Sequence, residues 1–374
     1  MKIAVNSRLL QKNKLEGIGT FMNEVLQRIV RWHPEIEFHF IFDHQPDQQF
    51  IFANNVIPHV ISPPTKHVLL YKIWFDFQLP ILLKKIKADC FLSLDAITST
   101  KLSIPNHIVI HDLNFVHRPQ DLPKFPRNYY RNNTPKFCNV ASRIATVSEY
   151  SKQDLVHTYG VNENQIDVVF NAAKACFQPV NEKEKQSVRQ RYTDGKKYFL
   201  YVGSLHARKN LNNLILGFNA FKNTTESDAK LLIVGKIMWE TKGLQAILKQ
   251  CEHKDDIIFT GRKSDEELSK ILASAIALSY VPFFEGFGIP IVEAYAAGVP
   301  VITSTTTCLP EIAGNGALYA DPSKPDEIAI AMGKMANNQS LREQLIQNGQ
   351  TINQQFSWDK TANLYWKSVE KIFQ

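Results

Sequence analysis

The 374-residue chain has no apolar run of about eighteen residues, the length a helix needs to cross a bilayer, so no membrane span is encoded. Its five cysteines (Cys90, Cys138, Cys176, Cys251 and Cys308) are scattered, with no C-x-x-C pair and no histidine-rich spacing. That pattern speaks against zinc and against a disulfide framework, and free thiols in a reducing compartment are expected. Internal repeats and low-complexity tracts are missing too, which sets solenoid architectures aside. No secretory h-region precedes the first strand-like stretch, Met1-Lys-Ile-Ala-Val-Asn6, so a cytoplasmic protein is expected. Gly17-Ile18-Gly19 lacks the third glycine of the dinucleotide fingerprint, because Met22 stands in its place.

The length is natural for two domains. A net charge of +7 favours polyanions, anionic lipid surfaces or phosphorylated small molecules, and composition alone does not choose among them.

The most informative stretch runs from Val281 to Ile302, with Glu285-Gly286-Phe287-Gly288-Ile289-Pro290 followed by Glu293 and Gly298. Ala275 to Val281 reads as a short buried strand, and Pro290 suits the start of a helix because it has no N–H to leave unsatisfied. Gly298 suits its end, and Val299 to Ile302 reads as the next strand. This is a parallel βαβ step, and ligands of open α/β sheets bind outside the carboxyl ends of such strands. Gly286 and Gly288 let backbone N–H groups approach a ligand, and a helix N-terminus favours an anion. Glu285 and Glu293 flanking such a cradle would suit the hydroxyls of a nucleotide sugar. An acid in the first turns of a helix is also common for dipole reasons alone, and a loop glutamate is usually solvated.

The pattern E-G-F-G-x-P-x-x-E-A-x-A-x-G-x-P-V, with seven residues between Glu285 and Glu293, resembles the signature of the retaining glycosyltransferases of family 4. The resemblance implies the GT-B fold: two Rossmann-like, doubly wound parallel-sheet domains facing a cleft. Other segments carry it as well. Val202-Gly203-Ser204-Leu205-His206-Ala207-Arg208-Lys209-Asn210 follows a strand and opens a helix. Two cations there could form a phosphate site, with arginine binding bidentately and lysine as a point charge, although a surface Arg–Lys pair is otherwise unremarkable. The family's similar segment holds the donor diphosphate. The loop before Leu309-Pro310-Glu311 is similar to the family's segment beside the donor phosphates.

In the first half, Glu16-Gly17-Ile18-Gly19-Thr20 resembles the family's glycine loop facing the donor diphosphate; its plain alternative is a loop with Thr20 as helix N-cap. Strands are expected at 2–6, 36–42, 56–61, 88–94, 107–110, 143–147 and 166–170, and in the second half at 198–202, 231–235, 257–261 and 317–321. His111-Asp112 ends one of them, as a general base with its orienting partner or as a hydrogen-bonded loop. The family's histidine at that strand end faces the donor sugar. Leu69 to Lys87 is an amphipathic, aromatic helix ending in lysines, which either packs on its own sheet or lies on a membrane surface. Arg118, Lys124, Arg127, Arg131 and Lys136, interleaved with Phe115, Phe125, Tyr129 and Tyr130, could hold an anionic acceptor or form solvated helix faces. Ser148, Ser151 and Ser357 are candidate helix caps.

The expected domains are residues 1–175, with helix 357–374 crossing back to them, and residues 195–356, joined by a polar linker with some helix. The resemblance implies a retaining transfer of a hexose, best matched by mannose from GDP-mannose, to a glycan or lipid-linked glycan acceptor, as in bacterial polysaccharide assembly. The catalytic candidates are His111, Asp112 and Glu285. The donor-binding candidates are Gly17, Gly19, Gly203, Arg208, Lys209, Gly286, Phe287, Gly288, Glu293 and Leu309. No D-x-D occurs, so no metal and no cofactor are expected. Expected partners are the donor, the acceptor and an anionic membrane contacted peripherally, without nucleic acid. The alternatives are a nucleotide-sugar epimerase of the same fold, which needs further acid–base carboxylates, and a non-catalytic polyanion-binding protein.

Overall fold

The computed structural model describes residues 1–65, 67–235 and 242–374. The chain divides into two compact units, residues 1–171 with 357–374, and residues 172–356.

The first unit is built on seven strands: β1 (Lys2–Asn6), β2 (Glu37–Phe42), β3 (Val56–Val60), β4 (Cys90–Ser93), β5 (Asn106–Val109), β6 (Arg143–Thr146) and β7 (Ile166–Val168). Their order in the sheet is β3-β2-β1-β4-β5-β6-β7 and every pairing is parallel. The second unit has six: β8 (Tyr198–Val202), β9 (Lys230–Val234), β10 (Ile257–Gly261), β11 (Ala277–Tyr280), β12 (Val301–Ser304) and β13 (Ala317–Ala320). They are ordered β10-β9-β8-β11-β12-β13, again all parallel. The central strands are near-continuous apolar runs because helices cover both faces of such sheets. Both expected doubly wound sheets are present. In each, the strand order reverses once, between β1 and β4 and between β8 and β11, and these switch points are where ligands of open α/β sheets bind.

In the first unit, helix Gly17–Trp32 buries Phe21, Met22, Val25, Leu26 and Ile29. Its N-cap is Glu16, so Thr20 is not the cap: the Thr20 N–H closes the first turn onto the Glu16 carbonyl at 2.7 Å. Ser148 and Ser357 do cap their helices, accepting from the Ser151 and Lys360 N–H groups. Helix Trp358–Glu370 packs against helix Gly17–Trp32 through Phe21, Trp358 and Tyr365, and Arg28 pairs with Asp359 at 2.6 Å. Thr361 also donates to the Phe170 carbonyl at 2.7 Å. Each large apolar side chain buried this way contributes about 1.5–3 kcal/mol.

The segment expected as one helix from Leu69 to Lys87 is three pieces: α-helix Val68–Ile73, a π-helical stretch Trp74–Gln78 and α-helix Leu79–Ile86. The cause is Pro80, whose ring would clash with the carbonyl four residues back and which has no N–H for it; a wider turn removes the conflict. In the polar stretch before β8, helix Glu182–Thr193 is fastened to the second unit, with Arg189 donating to the Ser274 carbonyl at 3.2 Å.

Candidate active site

The switch point of the second sheet carries a tight cluster of charge. From β8 the chain turns through a 3-10 turn, Ala207–Lys209, into helix Leu211–Asn223. From β11 it runs through residues 281–288 into helix Ile289–Ala296. The two loops are tied by backbone and side chain: the Phe283 N–H donates to the Arg208 carbonyl at 2.9 Å, and Asn210 Nδ2 donates to the Val281 and Pro322 carbonyls at 2.9 and 2.6 Å.

Arg208 and Lys209 converge there on one carboxylate. Arg208 Nη1 pairs with Glu285 Oε1 and donates to the Phe284 carbonyl at 3.1 Å. Lys209 Nζ lies 2.5 Å from the same Oε1 and donates to the Tyr280 hydroxyl at 2.6 Å. Glu285 is buried, and burial alone would raise its carboxyl; Arg208, then Lys209, overcome this and hold it below its ordinary value. The Cys308 thiol donates to the Glu285 carbonyl oxygen at 3.2 Å, fixing the loop from the far side. An anionic ligand meeting this trio would find two positive charges held in place beforehand, with one negative charge able to exchange partners.

Gly288 has φ +94°, and an added Cβ would come within 2.9 Å of Leu309 Cδ2. Glycine is therefore required twice over, for its left-handed backbone and for the space. Behind it, Glu293 sits on the buried side of helix Ile289–Ala296, only 9 % exposed. Among the described residues its carboxyl has no hydrogen-bond or ion-pair partner. Burial pushes it up to about 8; Lys174 draws it down and Asp265 raises it further. Lys174 is itself engaged with Asp265 at 2.7 Å. A buried carboxyl without protein partners is destabilising unless a ligand's hydroxyls complete it.

Two sequence profiles match the chain, that of the glycosyltransferase family 4 over residues 15–174 and that of glycosyl transferases group 1 over residues 182–352. The O-antigen chain mannosyltransferase B of Escherichia coli is 30% identical over 260 residues, covering 68% of this chain and 68% of that protein. The chain belongs to glycosyltransferase family 4.

The O-antigen chain mannosyltransferase RfbU of Salmonella typhimurium is 28% identical, over 72% of this family 4 chain and 73% of the relative. Solved structures share the fold across nearly the whole chain. Anabaena HepE in complex with UDP and glucose superposes with a TM-score of 0.78 at 14% identity, covering 99% of both chains. WaaG, a glycosyltransferase involved in lipopolysaccharide biosynthesis, has a TM-score of 0.76 at 13% identity, covering 97% of this chain and 99% of that one. The two sheets are thus those of GT-B glycosyltransferases.

The remaining candidates fall in different surroundings. The Phe287 ring is buried edge-on against Phe356, and Leu309 is wholly buried beside Gly288, so both side chains serve packing. Gly203 follows β8, and its carbonyl lies so near Gly235 that a Cβ there would meet it at 1.8 Å. In the first unit, Gly17 and Gly19 form the first turn of helix Gly17–Trp32, and Phe21 from that helix meets the His111 ring edge-on at 5.1 Å.

His111 and Asp112 are adjacent in the chain, but their hydrogen bonds go elsewhere. The Asp112 carboxylate accepts the Asn114 N–H at 3.0 Å, bracing the turn that leads into a short helix. His111 Nε2 lies 3.0 Å from the Leu94 carbonyl, to which it must donate, leaving Nδ1 as the ring's acceptor. Burial lowers the His111 pKa, so the neutral ring is favoured. The orienting partner is therefore the Leu94 carbonyl, which no side-chain motif reveals. Tyr280 was missed as well, and its position, the last residue of a strand leading into the Glu285 loop, is the signal that marks it. A cavity of about 720 Å³ at the opposite edge, beside Arg189, Ile276, Pro300 and Arg342, takes no part in this cluster.

Proposed function

We propose that this glycosyltransferase moves a mannosyl group, with retention of configuration and without a metal, from GDP-mannose to a glycan or lipid-linked glycan acceptor. The observation that carries the reading is the convergence of Arg208 and Lys209 on Glu285 at the switch point of the second sheet. Breaking the bond from the anomeric carbon to diphosphate builds negative charge on the leaving oxygens. Two preorganised cations are suited to receive it, and each such donor is worth about 2.7–4 kcal/mol of barrier. As the diphosphate takes up Arg208 and Lys209, Glu285 is freed to accept a hydroxyl of the departing sugar. Glu293, buried and without a hydrogen-bond or ion-pair partner among the described residues, is suited to the ribose diol. A front-face route, with the diphosphate taking the acceptor proton, needs no second carboxylate.

In this reading the second unit binds the donor and the first the acceptor. His111, Asp112 and the Gly17–Gly19 backbone belong to the reaction's machinery, Asp112 through its hold on the loop after His111. The names of the two O-antigen mannosyltransferases support mannose, and the UDP and glucose in the HepE structure support a nucleoside diphosphate sugar as donor class. The reading places the enzyme in the cytoplasm, in peripheral contact with an anionic membrane where lipid-linked acceptors reside.

A melting-temperature panel of GDP, UDP, ADP and their sugars tests it, since a ligand bound only by the native state raises the transition. GDP and GDP-mannose should raise it and Glu293→Ala should abolish both shifts. A panel in which no nucleoside diphosphate shifts the transition overturns the reading.

A further inference from the structure

The three-piece helix of the first unit buries one face and leaves a second apolar face open. Trp74, Phe75, Leu79 and Leu83 are buried, and Arg8 lies over the Tyr71, Trp74 and Phe75 rings. Leu69, Ile73, Phe77 and Ile81 recur at every fourth residue and are 69%, 43%, 50% and 66% exposed. An α-helix with 3.6 residues per turn carries every fourth residue about 40° further round at each step, so such a row would wind off one face. The π-helical stretch Trp74–Gln78 winds more slowly and draws the row back into line. Phe125, 63% exposed, extends the row beyond its first turn, where its ring lies 5.9 Å from that of His67.

The border of this row is basic. Lys72, Lys84 and Lys85 are exposed and have no ion-pair partner among the described residues. Lys101 stands 4.2 Å over the Phe77 ring. Asp76 is the one acid from His67 to Ala88, and it is occupied by Ser99 at 2.8 Å. Helix Lys124–Val140 adds Lys124, Arg127, Arg131 and Lys136 and no acid.

We infer that Leu69, Ile73, Phe77, Ile81 and Phe125 form a membrane-docking face that inserts into an anionic phospholipid surface, with Lys72, Lys84, Lys85 and Lys101 at the level of the lipid phosphates. A straight apolar row edged by lysines lying along a helix is the form an interfacial helix takes. A second copy of this chain fits it badly, because a two-fold contact through the row would set each lysine border against itself. No helix among the described residues is long and apolar enough to cross a membrane, so the contact is one of surface docking. The inference deepens the peripheral membrane contact proposed above and rests on it for the partner, while its test needs neither donor nor acceptor.

The test is co-sedimentation of the full chain with phosphatidylcholine vesicles, with and without about one-third phosphatidylglycerol. The wild-type chain should bind the anionic vesicles at least tenfold better than the neutral ones, and roughly 0.5 M salt should release it. Replacing Leu69, Ile73, Phe77 and Ile81 by serine should reduce binding at least tenfold at an unchanged melting temperature. Replacing Lys72, Lys84 and Lys85 by glutamine should reduce it about a hundredfold. Ile330→Ser, which removes an equally exposed side chain of the second unit (58%), should leave it unchanged. Failure of the wild-type chain to bind anionic vesicles overturns the inference and leaves the transferase reading, tested by nucleotide shifts, untouched. So does undiminished binding by the serine variant, or a wild-type dimer in sedimentation velocity that the serine variant dissolves.

Discussion

Glu293→Gln separates what the buried carboxyl does for folding from what it does for the donor. The Glu293 carboxyl has an ordinary value of 4.5 and is pushed up to about 8 by burial. In the unfolded chain it ionises near its ordinary value, while in the folded protein it keeps its proton to about 8. Raising the pH across that window therefore favours the unfolded chain, so stability is present in full at the acid end and lost progressively toward about 8. At 1.36 kcal/mol per pH unit the whole window amounts to about 3–5 kcal/mol. Glutamine keeps the shape and removes the titration. Chemical denaturation of both proteins between pH 5 and 9 should find them similar at the acid end. At the alkaline end the variant should be more stable by roughly 3 kcal/mol, and taking the difference cancels every other titrating group. Calorimetric titration should show the opposite preference: GDP binding to Glu293→Gln weakens about 10- to 100-fold, the worth of charge-assisted hydrogen bonds to ribose. Wild-type affinity should also rise from pH 7 to 9 as the carboxyl ionises, with the variant flat. Equal stability at both ends of the range, with GDP affinity retained, would refute both the burial argument and the ribose role.

Arg208→Ala and Lys209→Ala should each lower turnover roughly a hundredfold or more with the fold intact by circular dichroism, and near-normal rates in both would remove the pair from the reaction. Glu285→Gln should leave GDP affinity unchanged or tighter, because the two cations lose their internal competitor, while turnover falls at least tenfold; looser GDP with normal turnover would assign the residue to the cradle's structure. Transfer activity should survive excess EDTA, and loss restored by magnesium or manganese would contradict charge neutralisation by side chains. Burial lowers the His107 pKa to about 3, so the folded protein holds this ring neutral while the unfolded chain binds a proton below about 6.5. Stability should therefore fall as pH drops below that value, and His107→Gln should fall less steeply in denaturation at pH 4 to 7.

The sheets were readable because a buried parallel strand must be a short apolar run closed by turn residues, the form of the central strands β1, β8, β9, β11 and β12. Element ends were less readable. Thr20 has good capping chemistry, yet the helix begins at Gly17, with Glu16 as its N-cap and Thr20 already in its first turn. Pro80 was visible, but its effect, a π-turn rather than a break, depends on the aromatic packing of Trp74 and Phe75. In the site, residue types and spacing indicated where Arg208, Lys209, Glu285 and Glu293 would lie along the loops. They gave no sign that one carboxylate oxygen would be shared by both cations, because strand order alone brings β8 beside β11. The Leu94 carbonyl holding His111 is a backbone atom and leaves no mark in side-chain patterns.

Because helix Trp358–Glu370 belongs to the first unit, that unit is finished last. On the ribosome, its seven strands emerge before any of the second unit, yet Phe21, His107 and Asp167 wait for Trp358, Ser368 and Lys371 until the whole second unit has been made. The second unit, continuous in sequence, can fold in the interval. A nascent chain that has reached only Phe356 would therefore carry a complete second unit and a first one whose apolar surface under residues 357–374 is still uncovered, the kind of surface that makes folding intermediates prone to aggregate.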